Sequence, residues 1–118
     1  MPITIPMMND GEYYAGLVIV EGKPMHYLVV LPGELVESNW KNAMEWAKEQ
    51  CGDLPTPREQ ALCYANAPEA FRHAWYWSNA HHASDAGYAY GQHFGTGYQN
   101  DRQKDIELCA RAVRRVPI

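Results

Sequence analysis

Gly52-Asp53-Leu54-Pro55-Thr56-Pro57-Arg58-Glu59-Gln60 spells out a helix boundary. Thr56 offers an N-cap hydroxyl. Pro57 suits the first helical position, because its missing N–H is one that a helix start leaves unpaired anyway. Glu59 stands third, where its carboxylate can reach back and complete a capping box. Helical spacing then predicts a short helix over Arg58 to Ala65, with Ala61, Leu62 and Ala65 facing inward. Gly52 reads as the C-terminal glycine of an earlier helix. That helix follows a Ser38 cap, and Trp40, Ala43, Met44 and Ala47 recur at i, i+3, i+4 and i+7 to build one apolar face.

Strand patterns lie on both sides of these helices. Tyr13 to Val20 and Met25 to Leu31 are rich in aromatic and β-branched residues, and Glu21-Gly22-Lys23-Pro24 between them has turn composition, so they predict a hairpin. Pro32-Gly33 stops the second strand. Trp75 to Ser78 reads as a strand and Asn79 to Gly87 as an exposed polar loop. Tyr88, Tyr90, Gln92 and Phe94 alternate with Ala89, Gly91 and His93, and Gly95-Thr96-Gly97 permits a hairpin turn before a return arm from Tyr98. Leu108 to Val116 forms the last strand. Strands at both ends with two helices between them indicate an α+β fold, with an antiparallel sheet and the helices segregated to one side.

At 118 residues with 47% hydrophobic and 20% charged, the chain suits one domain with one core. Only Met1 to Asp10 is expected to be a flexible N-terminal segment. The net charge of −4, with no basic block beyond Arg111, Arg114 and Arg115, disfavours a nucleic-acid binder, which needs a positive stripe for phosphates. No apolar run approaches the ~20 residues of a membrane span, and no signal peptide is visible. Cys51, Cys63 and Cys109 form no C-x-x-C pair, which fits reduced thiols in a cytoplasmic protein.

Several motifs together are similar to one family. Tyr14-Ala15-Gly16, Trp40 with Ala43 and Ala47, Leu54-Pro55-Thr56 with Glu59, Tyr76-Trp77-Ser78 and Arg111-Ala112-Val113-Arg114 follow in the order of the C-terminal-domain-like family of collagen-like adhesins. The resemblance runs from roughly residue 11 to 116. It implies a C-type-lectin-like fold, in which the N- and C-terminal strands pair, two helices flank a twisted sheet and irregular loops project from one side. It also implies a short stand-alone member of phage or prophage origin, acting in the host cytoplasm or in a virion.

A lectin-like fold raises calcium-dependent glycan binding, which needs clustered carboxylate and amide oxygens. Asn79, Asp85, Asn100, Asp101 and Asp105 are the candidates, but the proline-flanked acid–amide pair of sugar-binding lectins is missing. Zinc needs three or four converging ligands. His73, His81, His82 and His93 offer no such spacing, and the adjacent His81 and His82 point in different directions in most backbones. No metal or cofactor is therefore expected. Enzymes with this implied fold include the formylglycine-generating type, which depends on a late cysteine pair, and here only Cys109 is late. Ser78 lacks a Gly-x-Ser-x-Gly elbow. No catalytic residue is assigned.

Binding remains. A strand sends Trp75 and Trp77 to one face and Tyr76 to the other, one side being core, and the family resemblance implies Trp77 for it. Tyr88, Tyr90, Tyr98, His93, Gln92, Gln99, Asn100 and Arg102 have the composition of a recognition surface, since tyrosine offers area and a hydrogen bond at low entropic cost. Trp75, His81, His82, Asp85 and Asp101 extend it. The expected ligand is a host or phage protein rather than a glycan. Two alternatives stand beside it: an inhibitor that presents Asp53, Glu59, Asp85 and Asp101 to a basic surface, and a homo-oligomeric virion component. Arg111 and Arg115 share strand parity, Arg114 opposes them, and ion pairing with Glu59 or Asp105 would lock the terminal strand.

Overall fold

The capping box forms as spelled. Thr56 Oγ1 accepts from the Glu59 N–H at 3.1 Å, and Glu59 Oε1 accepts from the Thr56 N–H at 2.9 Å, so helix α2 runs over Pro57–Asn66. The computed structural model describes residues 5–118. Residues 1–4 of the expected flexible segment lie outside the described residues. Beyond them Met7 is held, its carbonyl accepting from Arg114 Nη2 at 2.8 Å.

Helix α2 turns a different face inward from the expected one. Glu59, Gln60 and Cys63 are buried, whereas Ala61 and Ala65 are exposed and Leu62 is half-buried. Apolar Ala61, Leu62, Tyr64 and Ala65 are spread around this helix rather than gathered on one face, so it has little apolar contrast. The polar partners that await Glu59 and Gln60 inside the molecule decide its rotation instead.

Helix α1, Trp40–Glu49, is capped by Asn39 and not by Ser38. Asn39 Oδ1 accepts from the Asn42 N–H at 2.9 Å, while Ser38 ends a short strand and its carbonyl accepts from Trp77 Nε1 at 2.8 Å. The left-handed residue after the helix is Cys51, at φ 62°, and not Gly52. Gly52 is required for another reason: a Cβ there would stand 2.5 Å from the Val113 carbonyl oxygen and 2.7 Å from Leu31 Cδ1. The Asp53–Val113 backbone bridge runs through this close approach.

Among the described residues, eight strands form two sheets. Strands β1 (Tyr13–Val20), β2 (Lys23–Val30) and β8 (Val113–Pro117) make an antiparallel sheet in the order β1-β2-β8. The second sheet runs β3-β7-β4-β5-β6, with β3 Leu35–Ser38, β4 Trp75–His81, β5 Tyr88–His93, β6 Gln99–Gln103 and β7 Leu108–Ala110. Its β4–β7 pair is parallel, so the single antiparallel sheet expected from the sequence is corrected to two sheets, one of them mixed.

The expected last strand, Leu108 to Val116, is broken at Arg111-Ala112, where the chain crosses from one sheet to the other. Arg111 marks the crossing: Nη1 donates to Ala70 O at 2.6 Å and Nε to Leu31 O at 3.2 Å. The terminal strand pairs with β2, from His26↔Pro117 to Val30↔Val113, and not with the first strand. Strand β1 lies at the opposite edge, where α2 reaches it: Asn66 Nδ2 donates to Ala15 O and Arg58 Nη1 to Ile19 O.

Neighbouring residues on β4 point to opposite faces, and each has its own apolar cluster. Tyr76 packs with Leu28, Val30, Cys63, Phe71, Phe94 and Val113. Trp77 packs with Leu31, Ala43, Ala47, Leu54, Ala89 and Ala110. Helix α2 therefore covers one face of β4 and α1 the other, which corrects the expectation of helices on one side. In the first cluster Phe71 stacks on Phe94 with centroids 4.0 Å apart, and Tyr76 meets both edge-on. Full burial of each large side chain is worth about 1.5–3 kcal/mol. The architecture is α+β with one helix on each side of a central strand.

Candidate functional site

The period of two divides the expected recognition residues between the two sides of the sheet. Strand β6 pairs with β5 as Tyr88↔Gln103, Tyr90↔Asp101 and Gln92↔Gln99 on the α2 side, and as Ala89↔Arg102 and Gly91↔Asn100 on the α1 side. Trp75 pairs with His93 and Trp77 with Gly91, which places both tryptophans on the α1 side. One surface composed of all these residues does not form.

On the α2 side, His82 stacks on Tyr90 with centroids 5.7 Å apart and an interplanar angle of 19°, and its Nε2 is 3.8 Å from Asp101 Oδ2. Tyr88 Oη accepts from Gln103 Nε2 at 3.4 Å. Gln92, expected at the surface, is buried at 1% exposure. Its Nε2 donates to Gln60 O, and its Oε1 accepts from Gln99 Nε2 at 2.8 Å. These amides, with Gln60 Nε2 donating to Tyr76 O, tie α2 to three strands and are spent on the scaffold. Asp85 is exposed and turns the loop, Oδ1 accepting from the Gly87 N–H at 3.0 Å.

On the α1 side, Trp75 lies half-buried beneath Arg102, whose Cζ is 3.8 Å from the ring centroid, and meets His93 edge-on at 5.5 Å. Gly91 keeps the floor low, since a Cβ there would come within 3.7 Å of Trp75 Cε3 and 2.9 Å of Tyr76 O. Arg102 Nε is shielded from solvent and has no acceptor. Tyr98 stands opposite His93 at the end of the hairpin, its carbonyl accepting the His93 N–H, and its side chain is 72% exposed. Farther along, Trp40 lies 6.3 Å from the His81 ring, with Lys104 Nζ 4.6 Å over its centroid. Each tryptophan thus lies against one cation and one histidine. Trp40 and Lys104 were missed as surface residues. The helical period placed Trp40 in the core face, and Lys104 lies in the turn just past β6, where a strand period assigns no side.

The same parity separates the candidate metal ligands. Asn100 and Asp101 point to opposite sides of β6, and His81 and His82 diverge to Trp40 and Tyr90. Among the described residues, no group of three or more His, Cys, Asp or Glu side chains is arranged to hold a metal ion. Ser78 is fully buried, its hydroxyl donating to Tyr90 O and accepting from the Ala80 N–H, which fills the irregularity in the β4–β5 register. Burial pushes the Cys63 thiol up to about 12 and raises that of Cys109, so neither is a ready nucleophile.

A second polar cluster joins α2 to β8. Arg115 bonds both oxygens of Glu59 and reaches Asp53 Oδ2 at 2.9 Å, while His26 Nε2 lies 2.6 Å from Glu59 Oε2. Burial alone would raise the Glu59 carboxyl, but the Arg115 bonds and the Thr56 N–H outweigh it, and the group sits below its usual range. The expected pairing of the last strand with Glu59 holds. Asp53 and Glu59, two of the four carboxylates of the inhibitor alternative, are both paired with Arg115, Glu59 buried and Asp53 partly exposed. An apolar groove of about 420 Å³ between β1 and α2, lined by Leu17, Ile19, Ala61, Leu62 and Ala65 with Arg58 at its rim, contains none of the expected residues.

Compared with known proteins, the chain matches no family model, and no curated protein matches it in sequence.

Proposed function

We propose that this chain is a non-enzymatic binding module with a C-type-lectin-like fold, of phage or prophage origin, and that it recognises a protein partner. The recognition surface is the α1 side of β4, β5 and β6, where Trp75, His93, Tyr98, Asn100 and Arg102 gather. One observation carries this reading: a half-buried tryptophan holds an arginine flat against its ring, and that arginine has no acceptor for any side-chain N–H among the described residues. A guanidinium fixed in this way has lost part of its rotational freedom before binding, so less entropy remains to be lost at an interface. Exposed Tyr98 and Asn100 beside it supply area and hydrogen-bonding groups typical of a paratope-like surface. The order of family-like motifs along the chain supports the lectin-like assignment and the phage origin.

Affinity capture from the natural host, followed by mass spectrometry, tests the reading. Tyr98→Ala and Arg102→Ala should each lose the partner captured by the wild-type chain at unchanged melting temperature. Tyr90→Ala, on the opposite side, should keep it. Loss of the partner by Tyr90→Ala alone would move the site to the α2 side. Unchanged capture by all three variants would refute the surface assignment.

A further inference from the structure

Most arginines in this fold are neutralised in place. Among the described residues, Arg72, Arg111, Arg114 and Arg115 each have a carboxylate oxygen within 4.0 Å. Arg102 and Lys104 have none, nor do Arg58 and the other lysines, but only Arg102 and Lys104 lie over tryptophan rings. They lie instead on the faces of Trp75 and Trp40, on the same side of the sheet. Asp101, their nearest acidic neighbour on β6, points to the other side with Tyr90 and His82.

From this arrangement we infer that Arg102 and Lys104 capture an acidic peptide segment of the protein partner, with carboxylates at alternate positions. The inference rests on the reading of this side as the recognition surface and names the chemistry that it accepts. Arg102 lies on the edge strand β6 and Lys104 just past its end, two residues on, the same interval that separates alternate side chains, about 7 Å apart, in an extended segment. The tryptophan faces are already covered by these cations. A nucleic-acid base would have to displace them to stack, whereas a carboxylate meets the guanidinium at its N–H groups. The footprint is bounded: just beyond Lys104, a hollow lined by Glu37, Asp105 and Glu107 repels further acidic residues. In a chain of net charge −4, attraction to an acidic partner has to be this local.

The experiment uses the full chain and three fluorescent probes: a short peptide alternating glutamate and serine, its glutamine counterpart, and a single-stranded oligonucleotide of equal charge. Anisotropy should report binding of the glutamate peptide alone, weakened by about tenfold between low and physiological salt. Arg102→Gln and Lys104→Gln should each weaken it by about fivefold, the scale of one exposed ion pair, while Tyr90→Ala leaves it unchanged. No glutamate-peptide binding, equal binding by both glutamine variants, or preferential binding of the oligonucleotide would overturn the inference. If the peptide fails while Arg102→Ala and Tyr98→Ala still lose the captured partner, the surface stands and only its acidic specificity falls. If capture is also unaffected, the surface itself falls.

Discussion

Glu59 and Arg115 are 56 residues apart in the chain and meet in a two-point ion pair, Nη2 to Oε1 and Nε to Oε2, both at 2.8 Å. Oε1 also accepts the Thr56 N–H, and Oε2 faces His26 Nε2, so each carboxylate oxygen has two partners. One side chain therefore starts a helix and fastens the terminal strand.

Removing it should be costly. Loss of one member of a buried pair strands the other charge and typically costs about 3–5 kcal/mol. Arg115 retains Asp53 and is partly exposed, so Glu59→Ala should fall near the lower end, about 3 kcal/mol. Glu59→Gln, which can still accept the Thr56 N–H, should cost less. Urea unfolding midpoints of the two variants check the order.

Acid should loosen the N-terminal segment in a defined window. Hydrogen bonds from Arg114 hold the Glu12 carboxyl down to about 2, against a burial effect of opposite sign and an ordinary value of 4.5. A carboxylate whose pKa is lower in the folded chain stabilises it above the unfolded value, and that contribution is lost as pH falls through the folded one. The window is therefore about pH 4.5 down to 2. Glu12→Gln should be less stable than wild type at neutral pH and converge with it near pH 2, as read from denaturant midpoints across the window.

Two glycines should respond differently to alanine. At Gly52 the Cβ would meet a backbone oxygen at 2.5 Å, which has no rotamer by which to give way, so Gly52→Ala should break the Asp53–Val113 bridge and cost about 1–3 kcal/mol or more. At Gly22, in the β1–β2 turn, no atom lies within 4 Å, and only the positive φ of 77° opposes a side chain. Gly22→Ala should cost about 1 kcal/mol. Amide exchange should show local loss of protection at Asp53 and Val113 in the first variant only.

Thiol reactivity should follow burial. Cys51 is exposed, whereas Cys63 is fully buried with its thiol pushed up to about 12, and Cys109 is buried with its thiol raised. A disulfide reagent near pH 8 should titrate one thiol in the native chain and all three in denaturant. Rapid native labelling of Cys63 would contradict the packing of α2 against the sheets.

Local chemistry was legible in the residues themselves. The Thr56-Pro57-Arg58-Glu59 cap, the β1–β2 hairpin and the Gly95-Thr96-Gly97 turn each depend on neighbours within a few positions, so spacing alone settled them. Strand parity put Trp75 and Trp77 on one face without ranking them; the resemblance implied Trp77 for the core, and Trp77 is the buried one. Ser38 and Asn39 both cap well, and sequence could not rank them. Only the bond from Trp77 Nε1 to the Ser38 carbonyl decides for Asn39 by holding Ser38 in a strand.

The candidate surface was legible as composition and not as geometry. Residues from Trp75 to Arg102 fall on the neighbouring strands β4, β5 and β6 and the loops between them, but both parities were gathered into one set. The side that each faces depends on register, and register depends on which helix covers which side. Gln92 shows the consequence: it shares parity with Tyr90 but falls beneath α2, so its amide is consumed inside.

By itself, then, the sequence determined the α+β class, the start of α2, the turns and the residue types available for binding, because these follow from interactions a few positions long. Tertiary structure alone decided the break at Arg111-Ala112, the pairing of β8 with β2, and the division of the aromatic hairpin into two sides. Those features join residues tens of positions apart, whose contacts depend on how two sheets and two helices share one interior.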